Sequence, residues 1–169
     1  MRKTRRLAFN PEYAVELEQE ITPEAKRWIA AQARAFLAAT AKDPPHPLFR
    51  LVRGLRRGAA LGLRWADADL DAGCLRVRQT MLKIGPDVVK GRPKSKAGER
   101  VVWLDKATTG LLKTHREDQY WQRLTAGETW TDHDLTFCKD DGQPLKPDAD
   151  SRRFKVLAER AGLEPIRLH

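Results

Sequence analysis

Cys74-Leu-Arg-Val-Arg-Gln-Thr80 alternates apolar residues with basic ones. A period of two puts the apolar side chains on one face of an extended strand and the charged ones on its wet face. Two more short β-prone runs follow, Asp87-Val-Val-Lys90 and Arg100-Val-Val-Trp-Leu104. Gly91-Arg-Pro-Lys-Ser-Lys-Ala-Gly-Glu99, between them, is a loop by composition. The three runs predict a small three-stranded antiparallel sheet.

The flanks read as helical. Upstream, Thr22-Pro23-Glu24 suits a helix start: a capping hydroxyl, a proline at the first helical position and a carboxylate at the positive end. Trp28, Ile29, Phe36 and Leu37 then recur at helical spacing, and Asp43-Pro44-Pro45 ends the run. Leu48, Leu51, Val52 and Leu55 form a second stripe, and Arg57 to Leu63 can form another short helix that Gly58 and Gly62 weaken. Trp65 to Gly73 reads as an acidic turn. Downstream, Asp105 can cap a long helix to about Leu124, with Leu111, Leu112, His115 and Trp121 as candidate core positions. Thr125 to Pro147 is mostly loop, with Leu135-Thr-Phe-Cys138 as a short strand. A last helix runs from Pro147 or Asp148 to Ala161, stops at Gly162 and buries Phe154, Leu157 and Ala158. The order of helices, small antiparallel sheet and helices is α+β, mainly helical.

The chain has 169 residues, 32 Lys+Arg against 23 Asp+Glu and a formal net charge of +9. A pI near 9.9 points to a polyanionic partner. No apolar run approaches the ~20 residues of a membrane span, and the basic start Met1 to Arg6 is not followed by a signal-peptide core. Two cysteines, Cys74 and Cys138, make neither a disulfide framework nor a zinc set, which reads as a reducing cytoplasm. His46, His115 and His133 lack metal-ligand spacing, and no nucleotide-binding fingerprint is present, so neither a metal nor a cofactor is expected. Residues 1–21 carry four basic residues and then four Glu with few apolar residues between them, as in an arm or linker.

Two basic features could carry chemistry. Gly54-Leu-Arg-Arg-Gly58 places a glycine-flanked arginine at a helix start. An arginine fork donates two parallel hydrogen bonds to phosphate and never loses its charge. Lys83 to Arg100 holds six basic residues (Lys83, Lys90, Arg92, Lys94, Lys96, Arg100) against two acidic ones. Such a hairpin can lie along a nucleic-acid backbone, and a lysine in it could protonate a leaving oxygen. Taken singly, each feature is better read as a solvated basic surface.

In combination they resemble a known family. Leu48-Phe-Arg-Leu51, Gly54-Leu-Arg-Arg-Gly58 and Gly62-Leu-Arg-Trp65-Ala-Asp-Ala-Asp-Leu-Asp71 resemble the start of the catalytic domain of tyrosine recombinases, the phage-integrase family. Lys94-Ser-Lys-Ala-Gly-Glu-Arg-Val-Val-Trp-Leu104 resembles its lysine-bearing hairpin and the strand after it. Asp141-Gly-Gln-Pro-Leu145, Ser151-Arg-Arg-Phe154 and Ala161-Gly-Leu163 through Ile166-Arg-Leu-His169 resemble the approach to its H-x-x-R box. The likeness implies residues 22–169 as a partial catalytic domain, and Phe9-Asn-Pro11 with Val15-Glu-Leu17 resembles the linker before it.

The resemblance implies a reaction without metal or nucleotide cofactor. A tyrosine attacks a DNA phosphodiester, forms a 3′-phosphotyrosyl link and releases a 5′-hydroxyl. By position Arg56 resembles the first catalytic arginine, Lys96 the hairpin lysine with Lys94 as its alternative, and His169 the histidine of the H-x-x-R box. Arg50, Arg53, Arg57, Arg64, Lys83, Lys90, Arg92, Lys94 and Arg100 are the expected DNA contacts, double-stranded DNA is the expected partner, and self-association on DNA is expected with it. The sequence also departs from the pattern. Ala59 stands where the family has glutamate, and the segment between Leu51 and Gly54 is short. The family order places the second arginine and the nucleophile after His169, and neither Tyr13 nor Tyr120 occupies the nucleophile's place. The expectation is a DNA-binding chain that does not cleave alone, with apolar surface exposed around Leu157, Leu163 and Ile166. A different reading keeps only a basic module that binds nucleic acid or an acidic protein.

Overall fold

The structure, a computed structural model, describes residues 27–91 and 98–166. The arm over 1–21, the helix start at Thr22-Pro23-Glu24 and the residues Arg92, Lys94, Lys96 and His169 lie outside them. The elements in chain order are α1 (Ala30–Ala39), α2 (His46–Leu51), α3 (Arg57–Leu61), β1 (Ala68–Asp69), β2 (Cys74–Val77), β3 (Thr80–Ile84), β4 (Asp87–Gly91), β5 (Arg100–Trp103), α4 (Lys106–Ala126) and α5 (Pro147–Arg160). Helices therefore flank a small antiparallel β region.

The β region is split differently from the sequence expectation. A three-stranded sheet has the order β1-β2-β5, and β3 pairs with β4 in a separate hairpin. The Asp87 run pairs with Thr80 to Ile84 instead of joining the Cys74 and Arg100 runs. The third strand comes from the supposed acidic turn, where Ala68 and Asp69 pair with Leu75 and Cys74. The cause is local. Gly85 takes φ 59°, which closes a tight turn between β3 and β4 and pairs those neighbours first. The segment Leu135 to Cys138 forms only isolated bridges, Arg64 with Leu135 and Cys138 with Pro144.

Two cores lie on opposite sides of α2. Leu48 and Leu51 point into the larger one, with Leu55, Leu61, Leu63, Leu75, Val77, Met81, Leu112, Leu135 and Phe137. Phe49 points the other way, to Phe36, Leu37, Phe154, Leu157 and Ala158. The rings of Phe36, Phe49 and Phe154 lie 5.0–5.7 Å apart, tilted or edge-on, the arrangement that aromatic quadrupoles favour. This second cluster joins α1, α2 and α5. Residues as far apart in the chain as Phe36 and Ala158 owe their burial to it rather than to local periodicity.

Three expectations are corrected. Trp28 and Ile29 precede α1 instead of lying within it: the Ile29 N–H donates to Gln32 Oε1 at 3.0 Å, and the Trp28 indole crosses the molecule to the Glu164 carbonyl at 2.8 Å. Trp121 is 66% exposed, and Gln119 takes the buried position on α4. Leu157 is buried, and Leu163 and Ile166 pack on the aromatic cluster; the large exposed hydrophobics include Trp103, Trp121, Ile84 and Val156 instead.

Gly58 and Gly62 have a structural reason. They put α3 directly against β3, where a Cβ on Gly58 would stand 2.8 Å from the Met81 carbonyl oxygen and one on Gly62 3.0 Å from Thr80 Cα. The helix weakening read from the sequence is the cost of that close approach.

Candidate nucleic-acid interface

The turn between α2 and α3 is fixed from below and from the side. Leu55 is buried, and its N–H donates to the Leu51 carbonyl at 3.0 Å. Arg100, at the start of β5, donates through Nη2 to the Gly54 carbonyl at 3.2 Å. Arg56 is the N-cap of α3, and its carbonyl accepts from the N–H groups of Ala59 at 2.9 Å and Ala60 at 3.0 Å. Its guanidinium is exposed and has no partner among the described residues; the same holds for Arg53 three positions earlier. An exposed guanidinium fork can take an anion in two parallel hydrogen bonds.

The neighbouring cations are engaged. Arg50 donates through Nε to the Thr108 hydroxyl at 2.8 Å and reaches Asp105 at 3.4 Å, so it ties α2 to the cap of α4. Arg64 donates through Nε at 2.7 Å and Nη2 at 2.6 Å to one oxygen of buried Asp67. Arg57 donates to the Ser151 hydroxyl, and Lys83 pairs with Asp148. The Lys83 ammonium beside Asp148 holds that carboxyl below its ordinary range. Lys90 is exposed, with no partner among the described residues. The expected contacts thus divide. Arg53, Arg56 and Lys90 have no partner among the described residues, while Arg50, Arg57, Arg64, Lys83 and Arg100 have internal partners.

The structure adds residues that no local motif signalled. Lys139 and Lys146 line a groove of about 390 Å³ beside the β3–β4 hairpin together with Lys90 and His133. Distant segments meet there, so spacing in the chain gives no hint of it. The N-terminal end of α5 supplies Asp148 to Lys83 of the hairpin and Ser151 to Arg57 of α3, with Asp150 buried between them in sequence. Asp150 is 6% exposed, its Oδ2 has no partner, and burial pushes its carboxyl up to about 6 against the pull of Arg153 and Arg57. Among the described residues no group of three His, Cys, Asp or Glu could hold a metal ion.

Comparison with known proteins gives first a class and then a family. The fold is shared with recombinases and integrases. XerA recombinase superposes with a TM-score of 0.63 at 18% identity, over 86% of this chain and 47% of that one. The Tn1549 transposon integrase, in complex with transposon right end DNA, superposes with a TM-score of 0.65 at 17% identity, over 90% of this chain and 49% of that one. Residues 29–169 match the profile of the Phage integrase family, and the chain belongs to that family. An integrase of Saccharopolyspora erythraea is 32% identical over 87 residues, 52% of this chain and 20% of that protein. An integrase of Streptomyces ambofaciens is 28% identical over 148 residues, 78% of this chain and 35% of that protein. The chain therefore spans between a fifth and about two fifths of the curated relatives' length.

Proposed function

We propose that this chain grips the phosphate backbone of duplex DNA as part of the catalytic domain of a tyrosine-type site-specific recombinase. The observation that carries the reading is the pair of exposed guanidiniums, Arg53 and Arg56, which have no partner among the described residues, on a turn whose neighbours Arg50, Arg57, Arg64 and Arg100 are tied into the fold. A surface that merely needed charge for solubility would not lock one set of arginines and leave another unpaired at a rigid helix start. The Tn1549 integrase, a neighbour in fold, is described in complex with DNA.

In this reading Arg56 is the first catalytic arginine. Negative charge grows on the phosphoryl oxygens as a tyrosine attacks, and a preorganised fork stabilises it without reorganising at the moment of reaction. Lys96, or Lys94, supplies the proton for the leaving 5′ oxygen, and His169 takes the place of the histidine in the H-x-x-R box. Arg92 and Lys90 extend the backbone contacts. The part assigned to this chain is phosphate binding, with strand exchange the work of a longer assembly that associates on DNA. Its setting would be the cytoplasm; no helix among the described residues is long and apolar enough to cross a membrane.

The test is fluorescence anisotropy with a labelled duplex across a salt series. Binding should weaken steeply with salt, by about 0.9 in log–log slope per neutralised phosphate. Affinity unchanged from low to moderate salt would overturn the reading. So would tighter binding to an acidic peptide of equal charge, the outcome that the basic-module alternative expects.

A further inference from the structure

We infer that Arg57 is a positioning residue, not a phosphate ligand, and that the first turn of α5 is the seat that fixes the aim of Arg56. The inference rests on the DNA-binding reading above and assigns the two adjacent arginines opposite jobs.

The geometry of the Ser151 hydroxyl is decisive. It donates its one hydrogen to the Pro147 carbonyl at 3.1 Å within α5. Only its lone pairs are left, and one of them accepts from Arg57 Nη1. The hydroxyl is thereby oriented as a fixed acceptor, and Arg57 is the donor that fits it. The carboxylates of Asp148 and Asp150 lie near enough for the Arg57 charge to act on both. Arg57 is also only partly exposed, unlike Arg56.

Position in the chain turns this anchor into aim. Arg57 is the first residue of α3, immediately after the N-cap Arg56. Holding the Arg57 side chain against α5 fixes the rotation of the first turn of α3 about its axis. The Arg56 backbone has φ −61° and ψ 141°, and its side chain leaves from that fixed frame toward solvent. A second strap works alongside: Lys83 of β3 pairs with Asp148, so the hairpin and α3 are fastened to one turn of α5. The hairpin and α3 are therefore fastened to α5 at Asp148 and Ser151.

The experiment compares variants by duplex binding over the same salt series, at a temperature where each is folded by circular dichroism. Arg57→Gln removes the charge, and its amide stops about two bonds short of the position from which Arg57 Nη1 donates to Ser151. Positioning therefore predicts the same loss as Ser151→Ala below, with an unchanged salt slope, because no phosphate contact is removed. Ser151→Ala removes the acceptor and should weaken binding roughly fivefold, the worth of one hydrogen bond, again with unchanged slope. Ser151→Thr should restore it, which a loss of general stability would not explain. Arg56→Gln should lower the slope by about one contact. If Arg57→Gln lowers the slope by about one, or Ser151→Ala binds like the parent, the inference is overturned while the DNA reading stands. If the parent chain shows no salt-dependent binding, both fall.

Discussion

Trp65 and Gln119 are joined across the molecule: the indole Nε1 donates to Gln119 Oε1 at 2.5 Å. The amide's other end donates to the carbonyl oxygens of Leu135 and Thr136, each at 3.2 Å. One buried side chain on α4 thus stitches the 3₁₀ turn Trp65–Asp67 to the segment Leu135 to Cys138. Gln119→Leu fills the space and leaves the indole N–H without its partner. The expected loss is about 1–2 kcal/mol, because the part-buried indole N–H and the buried carbonyl of Leu135 both lose a partner. Urea unfolding checks it, and a loss under 0.5 kcal/mol would show that water replaces the amide.

Two glycine-to-alanine changes should have opposite signs. Gly110 lies inside α4 with nothing within 4 Å of an added Cβ, so Gly110→Ala should stabilise by about 0.5–1 kcal/mol. In Gly58→Ala the added Cβ would meet Thr80 Oγ1 at 2.5 Å and the Met81 carbonyl oxygen at 2.8 Å. That backbone cannot swing aside as a side chain could, and the net effect should be a loss of about 1–3 kcal/mol despite the better helix former. Thermal melts of the two variants give the signs directly. Equal gains in both would mean that α3 and β3 can separate without cost.

Much of this architecture is legible in the sequence, and the failures share a cause. Asp105 is read as a cap, and its carboxylate indeed accepts from the Thr108 N–H at 2.7 Å. Gly162 is read as a stop, and it takes φ 69°. Both signals are local, a side chain acting on its own helix end. The pairing of β2 is not local. The Arg100 run pairs with it from beyond the β3–β4 hairpin, and only the tight turn at Gly85 decides which runs meet first. The site divides in the same way. Arg56 is singled out by its glycine-flanked motif, whereas the distinction between exposed and engaged arginines depends on Ser151, Asp67 and Thr108, which no spacing rule connects to Arg57, Arg64 and Arg50.

That distinction predicts separable phenotypes. Arg53→Glu reverses an exposed charge that has no partner among the described residues. It should weaken duplex binding by about tenfold or more at low salt and leave stability within about 0.5 kcal/mol, as surface changes do. Arg64→Gln strips the partner from Asp67, which is 5% exposed. It should cost about 2–4 kcal/mol of stability, since a buried carboxylate then loses its main partner and keeps only Arg78 at 3.5 Å. Binding and melting measured on both variants would show the split. A stability loss in Arg53→Glu as large as in Arg64→Gln would remove the basis for calling one arginine free and the other structural.

The buried Asp150 predicts an inverted pH dependence at one site. Its carboxyl lies at about 6 in the fold, raised by burial, against an ordinary 3.8 in the unfolded chain. The folded state therefore holds a proton that the unfolded state has released between those values, and the group's contribution is full below 3.8 and lost as pH rises through 6. Two pK units correspond to about 3 kcal/mol before solvent screening, and roughly half of that after it. Asp150→Asn should thus stabilise the chain by about 1–2 kcal/mol at pH 8 and by nothing below pH 4. The histidines run the other way: burial lowers His46 and His115, so their contribution is present above 6.5 and fades as pH falls below it. They act equally in both proteins and cancel in the difference. Urea denaturation of the parent and the variant from pH 4 to pH 8 isolates the Asp150 term. A difference that stays flat across that range would mean the carboxylate is hydrated or paired with Arg57 and Arg153 in solution.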